Sequence, residues 1–199
     1  MKVQVLYSGG QDSSLAAVLL EPFFDVELVT CTFGIKGEEP WHNAERAAAA
    51  IGFPFRILML GPEVLDDCID SILKYGYPRY GINLVHRRAL EALASEGAQN
   101  IADGTRQDDH SPGLGMSEIK SIEDAYGARY IRPLAGYGRH AIDSLVKEHF
   151  EIEEGPSIEK ADYESDIRSS LNTRYGKETV KKLFPPQHAQ SRVLRRYKK

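Results

Sequence analysis

The sequence contains little cysteine. Among its 199 residues only Cys31 and Cys68 are cysteines, and they lie far apart along the chain. The absence of a C-x-x-C pair excludes a zinc knuckle or an iron–sulfur site of that type. Two reduced thiols fit a cytosolic protein, and a disulfide between them remains the alternative.

Long apolar runs are also missing. No stretch of about 18 or more apolar residues occurs, which excludes a transmembrane helix. The apolar stretch before Ser8 is too short for a signal peptide. We therefore expect a cytoplasmic protein that does not bind a membrane, with enough residues for one well-buried domain.

Charge is low overall but unevenly distributed. The formal net charge of −4 at pH 7 gives no general indication of nucleic-acid binding. Residues 148–166 are rich in acidic side chains, whereas residues 168–199 are strongly basic. A basic segment of this kind can contact phosphate groups. The alternative is a solvated C-terminal helix with a frayed end.

Short apolar runs alternate with helix-like segments through residue 150. Strands that alternate with helices pair in parallel through right-handed crossovers, so we expect a doubly wound α/β fold. The main domain should cover residues 1–150, and residues 151–199 should form a helical, basic C-terminal extension. The predicted strands are residues 3–7, 26–33, 55–60, 99–102 and 129–131. The predicted helices are residues 13–20, 41–51, 82–95, 116–126 and 142–150, with another beginning at Pro62.

Two polar, glycine-rich segments each follow a predicted strand, residues 8–14 and residues 103–115. In an open parallel sheet, ligands bind beyond the carboxyl ends of the strands, near the point where the strand order reverses. We therefore expect the two segments to form one shared site.

The first of these segments, S-G-G-Q-D-S-S, lies between a strand and a helix. Adjacent glycines let the backbone N–H groups approach an oxyanion, and the start of a helix favours a phosphate. Asp12 would repel a bare phosphate, so it calls for Mg²⁺. The Walker A lysine and the G-x-G-x-x-G pattern are both absent. The expected nucleotide-binding residues here are Ser8, Gly9, Gly10, Gln11, Asp12, Ser13 and Ser14.

This segment resembles the S-G-G-x-D-S signature of the PP-loop (N-type) ATP pyrophosphatases. That superfamily includes NAD, GMP and asparagine synthetases, 7-cyano-7-deazaguanine synthases, and the tRNA thiolation and lysidine enzymes. The resemblance covers residues 1–150 and implies a five-stranded, mostly parallel, Rossmann-like sheet of the adenine nucleotide alpha hydrolase type. It also implies ATP and Mg²⁺ as cofactors, with ATP split into AMP and pyrophosphate.

Two further segments resemble the tRNA-thiolating and lysidine-forming members. Residues 103–109 occupy the place of their G-H-H-x-D-D segment, and residues 132–134 resemble their R-P-L element. The resemblance implies Mg²⁺ contacts from acidic side chains and charge neutralisation by Arg106 and Arg132. The expected catalytic residues are Asp12, Asp108, Asp109 and Arg132, with Asp12 and Asp108 as magnesium ligands and Gly104 and Thr105 in the nucleotide site.

The sequence also departs from these relatives. Thr105 and Arg106 replace the two histidines of G-H-H, and the cysteine pair of one thiolase group is missing. Residues 80–83 are faintly similar to the 7-cyano-7-deazaguanine synthases, but their zinc-binding cysteines are absent. That absence argues against their particular activity.

Several single residues have two interpretations. Cys31 could carry a persulfide in a thiolation reaction, or it could be a buried strand cysteine. Thr32 and Phe33 lie where the superfamily binds adenine, although Phe33 could instead belong to the core. His86, with the two arginines that follow it, could face the acceptor or solvent.

The resemblance implies that an acceptor oxygen attacks the α-phosphate of ATP, after which a nucleophile displaces AMP. We expect the acceptor to be a tRNA base, contacted through the basic C-terminus. One alternative is amidation of a small metabolite, and another is a partner subunit that binds ATP or AMP without turnover. Many members of the superfamily are dimers, so a homodimer remains open.

Overall fold

The computed structural model describes residues 1–35, 41–109, 112–155, 163–184 and 190–197. Seven strands and eight helices lie within these residues. The strands are β1 (Lys2–Leu6), β2 (Asp25–Thr32), β3 (Phe55–Met59), β4 (Asn100–Ala102), β5 (Arg129–Ile131), β6 (Phe150–Gly155) and β7 (Gln190–Arg196). The helices are α1 (Gln11–Leu20), α2 (His42–Ile51), α3 (Pro62–Tyr75), α4 (Arg79–Ser95), α5 (Met116–Tyr126), α6 (Arg139–His149), α7 (Tyr163–Tyr175) and α8 (Lys177–Leu183).

Five strands form one sheet in the order β3-β2-β1-β4-β5, and every neighbouring pair is parallel. The strand order reverses between β1 and β4, so their carboxyl ends form the switch point of the sheet. The expected doubly wound, five-stranded α/β fold is confirmed. Each of its strands lies within one residue of the predicted position.

Apolar side chains cover both faces of the sheet. On one face α3, α4, α5 and α7 pack on strand residues that include Val29 and Ile101. On the other face α1, α2 and α6 pack on residues that include Val5 and Leu28. These four side chains are at most 1% exposed, and burying each contributes roughly 1.5–3 kcal/mol. The sheet therefore holds the loops at its carboxyl edge on a tightly packed support.

Three helices begin two or three residues earlier than predicted, and the first of them, α1, begins at Gln11. α4 begins at Arg79, directly after Pro78, because proline is well tolerated at a helix start. α6 begins at Arg139 and ends at His149, since Phe150 has the extended dihedral angles that open β6. Within the described ranges, no helix is long and apolar enough to cross a bilayer.

The C-terminal extension contains the helices α7 and α8, as expected, and, apart from Phe150, also an antiparallel strand pair that was not predicted. In this pair β6 lies beside β7. Glu151 forms an ion pair with Arg195, and Glu153 forms one with Arg192. The acidic and basic segments therefore neutralise each other across the two strands.

The strand β7 also packs on the main sheet's helices. It contacts α2 and α1. The backbone N–H of Val193 donates a hydrogen bond to the Gly9 carbonyl at 3.3 Å. Arg196 forms a further ion pair with Glu21 at the end of α1. The end of the chain is thus attached to the loop that follows β1.

Candidate functional site

The loop between β1 and α1 exposes the N-terminus of a helix at the switch point. Gly9 has a φ of 78°, a conformation that glycine adopts without a steric cost. Gly10 is the N-cap of α1 and, having no side chain, supplies no capping hydrogen bond. The hydroxyls of Ser8 and Ser13 lie 3.2 Å apart beside this helix start. Polar hydroxyls and the positive end of the helix dipole together favour an anion here.

Ser14 lies on the other side of this loop. Its side chain is fully buried, and its hydroxyl is 3.0 Å from the hydroxyl of Tyr7. The structure therefore places Ser14 in a contact between α1 and the end of β1. It does not face the cavity described below.

The loop after β4 approaches the first one very closely at Gly104. A Cβ atom at this position would lie 2.5 Å from the backbone nitrogen of Ser13 and 2.7 Å from the carbonyl carbon of Asp12. Those distances are too short for any side chain, so only glycine allows the two loops to meet. The expectation that the two segments share one site agrees with this contact.

Arg106 joins the two loops through its charge. Its guanidinium lies 3.3 Å from Asp12, 3.2 Å from Asp108 and 3.0 Å from Asp109. The arginine side chain is only 14% exposed. One guanidinium therefore holds three carboxylates, on two different loops, around a single position.

Asp12 is the least satisfied of these carboxylates. Its Oδ1 is buried and has no hydrogen-bond partner among the described residues. Burial raises the pKa of Asp12 to about 6, since the opposing charge of Arg106 only partly compensates and Asp109 adds repulsion. An unpartnered, desolvated carboxylate oxygen at a ligand-sized opening is a position where a cation would bind favourably.

The donor set fits magnesium that arrives with a phosphate ligand. Mg²⁺ keeps several waters and needs only one or two carboxylates besides substrate phosphates. Asp12 supplies such a carboxylate, whereas Asp108 is half exposed and lies between Arg106 and Arg139. In the described part of the chain, no three His, Cys, Asp or Glu side chains form a group that could hold a metal ion alone.

The two loops form one wall of a cavity of about 260 Å³. Its lining includes most of the residues expected from the sequence. Those are Ser8, Gly10, Gln11, Asp12, Ser13, Gly104, Thr105 and Asp109. These residues lie together on one side of the cavity, and their role in binding remains a prediction.

Other expected residues lie outside the cavity lining. The Thr32 hydroxyl donates a hydrogen bond to Asp166 of α7 at 3.3 Å. Phe33 is 1% exposed and belongs to the apolar core. Arg132 is half-buried after β5, where its charge acts on Tyr130. The structure brings none of Thr32, Phe33 and Arg132 to the cavity wall.

Cys31 does line the cavity, at the end of β2. Burial raises the pKa of its thiol to about 12, so it is protonated at neutral pH. Reactive cysteines instead need an electropositive, partly exposed setting. Both cysteines are free, and both are buried.

Sequence reasoning missed two parts of the lining. One is a histidine–aspartate pair, His86 of α4 and Asp103 after β4, with Tyr163 of α7 beside it. The other is the start of β7, where Gln190 and Ser191 reach the cavity. The two interpretations given for His86 were an acceptor contact and a solvent-facing position. Its exposure of 2% excludes the solvent-facing one.

A parallel sheet of this order, with an S-G-G-x-D-S loop at its switch point, defines an open α/β protein, and other proteins are similar to it. The U34-tRNA thiolase NcsA of Methanococcus maripaludis has a TM-score of 0.53 and 17% identity, covering 90% of this chain and 69% of that chain. That likeness shows a shared fold. An argininosuccinate synthase of Chlorobium phaeobacteroides is 29% identical over 113 residues, which are 52% of this chain and 28% of that enzyme.

Within this class, the chain belongs to the family described as "Family of unknown function (DUF7411)", whose model matches residues 1–195. An uncharacterized protein of Methanocaldococcus jannaschii is 40% identical over 197 residues, which are 98% of this chain and 96% of that protein. A crystal structure from the same organism, described as a predicted subunit of tRNA methyltransferase, has 39% identity and a TM-score of 0.90. It covers 100% of this chain and 98% of that chain.

Proposed function

We propose that this protein binds Mg-ATP at the switch point and transfers the adenylyl group to an acceptor, releasing pyrophosphate. One observation carries the proposal: the N-terminus of α1, whose N-cap Gly10 has no side chain, lies beside the buried Oδ1 of Asp12, which has no hydrogen-bond partner among the described residues. The helix start favours phosphate and the carboxylate oxygen favours a cation, so a magnesium polyphosphate matches both.

Each loop has a role in this proposal. The hydroxyls of Ser8 and Ser13 and the backbone at Gly10 would bind the pyrophosphate. Asp12 would hold Mg²⁺, which supplies charge neutralisation when bound. Arg106 would exchange part of its contact with the three carboxylates for the leaving pyrophosphate, whose charge it would stabilise. Positioning and electrostatics would therefore supply most of the rate.

We infer that the acceptor is RNA, as tRNA is named in the descriptions of two structurally similar proteins. The basic C-terminus is a weaker basis for this than its sequence suggests. Arg192, Arg195 and Arg196 form ion pairs with glutamates of β6 and α1, so much of their charge is neutralised within the chain.

A second surface fits RNA better. The turn between α3 and α4 carries exposed aromatic rings, Tyr75, Tyr77 and Tyr80, which are 55%, 49% and 56% exposed. The rings of Tyr75 and Tyr80 lie 4.7 Å apart, and the Lys74 ammonium is 5.2 Å from the Tyr75 ring. Exposed tyrosines beside cationic side chains are suited to stacking on unpaired bases near their phosphates.

This turn lies at the same edge of the main sheet as the cavity, the edge formed by the carboxyl ends of the strands. α4 contacts Asp103 through His86, and the chain then continues to the start of β4. Tyr80 precedes His86 by six positions, so it lies roughly 9 Å further along the helix axis, beyond the carboxyl edge of the sheet. An RNA stacked on the turn could therefore reach the cavity.

A second candidate function is nucleotide binding without turnover, in a complex with another protein. The observation in its favour is the description of the similar crystal structure as a predicted subunit. In that case ATP or AMP would bind at the same loops, but no pyrophosphate would be released with any acceptor.

The deciding experiment follows AMP and pyrophosphate formation from Mg-ATP, with and without total tRNA. Wild type is compared with Asp12→Ala and with Asp124→Ala, an exposed aspartate on α5 that serves as the control. We expect AMP formation that rises with tRNA and is lost only in Asp12→Ala. Release of ADP and phosphate would contradict the proposal, and binding without turnover would favour the second candidate.

A further inference from the structure

A buried histidine–aspartate pair forms part of the cavity wall. His86 is 2% exposed and Asp103 is 5% exposed, yet both line the cavity. The His86 Nε2 lies 3.0 Å from Asp103 Oδ2. Desolvating two such groups is unfavourable unless their hydrogen bonds are satisfied, so the partners of each atom matter.

Every position on the Asp103 carboxylate is taken by a donor. Oδ2 accepts from Tyr130 and faces His86, while Oδ1 accepts from the N–H of Thr105 at 2.9 Å and from its hydroxyl. Burial alone would raise the pKa of Asp103, but the hydrogen bonds from His86, Thr105 and Tyr130 lower it overall. Asp103 is therefore ionised, and His86 Nε2 carries a hydrogen toward it.

This arrangement fixes the opposite nitrogen of the ring. With a hydrogen on Nε2, a neutral His86 has its lone pair on Nδ1. The Tyr163 hydroxyl lies 3.3 Å from that Nδ1, and Tyr163 lines the cavity at the first turn of α7. Carboxylate, imidazole and hydroxyl thus form a chain that ends at the cavity. The same order of groups serves base catalysis on unrelated folds.

We propose that Asp103, His86 and Tyr163 form a proton relay for the step in which a nucleophile displaces AMP from the adenylated acceptor. The proposal rests on the adenylation proposed above. Tyr163 is the residue that would touch the nucleophile, and His86 and Asp103 act through it as positioning residues.

The proton and electron pairs balance as follows. The nucleophile's lone pair forms the bond to the acceptor carbon, and the bond from that carbon to the AMP oxygen breaks, so AMP leaves with its electron pair. The nucleophile's proton passes to the Tyr163 oxygen while the Tyr163 proton passes to His86 Nδ1. His86 then becomes an imidazolium beside ionised Asp103, and it returns the proton to solvent after AMP leaves.

The groups around the relay place no competing cation beside it, since the described cavity lining contains no lysine or arginine. Cys31 on β2 is a neutral thiol, because burial raises its pKa to about 12. Asp166, on α7 with Tyr163, accepts a hydrogen bond from Thr32. Arg87, next to His86 on α4, forms an ion pair with Glu91 and does not add a cation to the cavity lining.

The kinetic test separates two steps. ATP–pyrophosphate exchange with total tRNA reports adenylation, and AMP release with ammonium chloride or sodium sulfide reports displacement. We expect Tyr163→Phe and His86→Gln to slow AMP release about tenfold or more, with a much smaller effect on exchange. Tyr175→Phe, an exposed tyrosine on α7, is the matched control. An equal loss in both steps would show a merely structural role and overturn the relay.

A spectroscopic test does not depend on turnover. In a long-range ¹H–¹⁵N spectrum at alkaline pH, the His86 ring should show the tautomer with hydrogen on Nε2, assigned by its loss in His86→Gln. Tyr163→Phe should move the Nδ1 resonance and leave the tautomer unchanged. A hydrogen on Nδ1 in wild type would overturn the relay. Absence of exchange with this tautomer intact would instead count against adenylation.

Discussion

The Ser191 hydroxyl accepts a hydrogen bond from the backbone N–H of Gln11 at 3.2 Å, although the two residues are 180 positions apart. Gln11 is the first residue of α1, and Ser191 lies near the start of β7. Because the Ser191 oxygen accepts this bond, its own hydrogen can be donated into the cavity that it lines. β7 therefore adds a hydrogen-bond donor beside the N-terminus of α1.

We predict that Ser191→Ala weakens ATP binding by roughly 3- to 10-fold, about the value of one hydrogen bond. Isothermal titration with Mg-ATP measures this change. Ser117→Ala, on the exposed face of α5, is the control and should bind as wild type does. Tighter binding by Ser191→Ala would instead show that the hydroxyl competes with the nucleotide.

Gly104→Ala should destabilise the protein by roughly 1–3 kcal/mol, because the added methyl group must push two backbone segments apart. Its Cβ would lie 2.5 Å from the Ser13 nitrogen. Gly136→Ala is the matched control, since a Cβ there meets nothing within 4 Å and the φ of Gly136 is not positive. Urea denaturation compares the two, and equal free energies of unfolding would argue against the close approach.

Asp12→Asn should stabilise the ligand-free protein at neutral pH while it abolishes AMP formation. Burial raises the pKa of Asp12 to about 6, so the folded state binds a proton more tightly than the unfolded state. The charged form therefore costs stability above pH 6, and this cost disappears as the pH falls toward about 4.

The expected gain for Asp12→Asn is on the order of 1–3 kcal/mol at pH 7.5 and near zero at pH 4. Thermal denaturation of both proteins across this range gives the difference. A gain that does not change with pH would have another cause than the buried charge.

Asp103→Asn should have the opposite effect, with a loss of about 2–4 kcal/mol at neutral pH. The pKa of Asp103 is lowered by its donors despite its burial. Its stabilisation is therefore fully present above the unfolded value of about 3.9 and is lost as the pH falls through the folded value. Asp124→Asn, 66% exposed on α5, should change little; urea denaturation at pH 7 and pH 3 tests both.

Tyr75→Ala and Tyr80→Ala should each weaken tRNA binding by about fivefold or more, since stacking contributes roughly 1–3 kcal/mol per base. Phe23→Ala is the control, because Phe23 is 72% exposed but lies just before β2, at the opposite edge of the sheet. Filter binding at several salt concentrations measures affinity and its salt dependence. Equal binding by all three variants would exclude this turn as the RNA surface.

Local sequence patterns were enough to predict the main sheet, and most residues of the predicted phosphate loop lie together at one cavity. The buried strands are apolar runs bounded by glycine or proline, and the phosphate loop is a contiguous motif, so both lie within a short window. Arg106 was expected to act on phosphate, but its three carboxylate contacts depend on how two loops meet. A short stretch of sequence contains no information on how two distant loops approach each other.

The parts that were missed depend on long-range pairs. β7 has a single fully buried apolar residue, Val193, and its partner strand carries the opposite charge about forty positions earlier. His86 has polar and charged neighbours on a helix, and its burial becomes evident only when Asp103 and Tyr163 are placed beside it. Spacing alone gave no sign of either contact.

The attachment of β7 to the first loop has a consequence for biosynthesis. Gly9 and Gln11 are synthesised about 180 residues before their partners Val193 and Ser191. While residues 190–197 are still inside the ribosome, the nascent chain can form its parallel sheet but cannot complete the wall that Ser191 supplies. Nucleotide binding would then have to wait until residues 190–197 have left the ribosome.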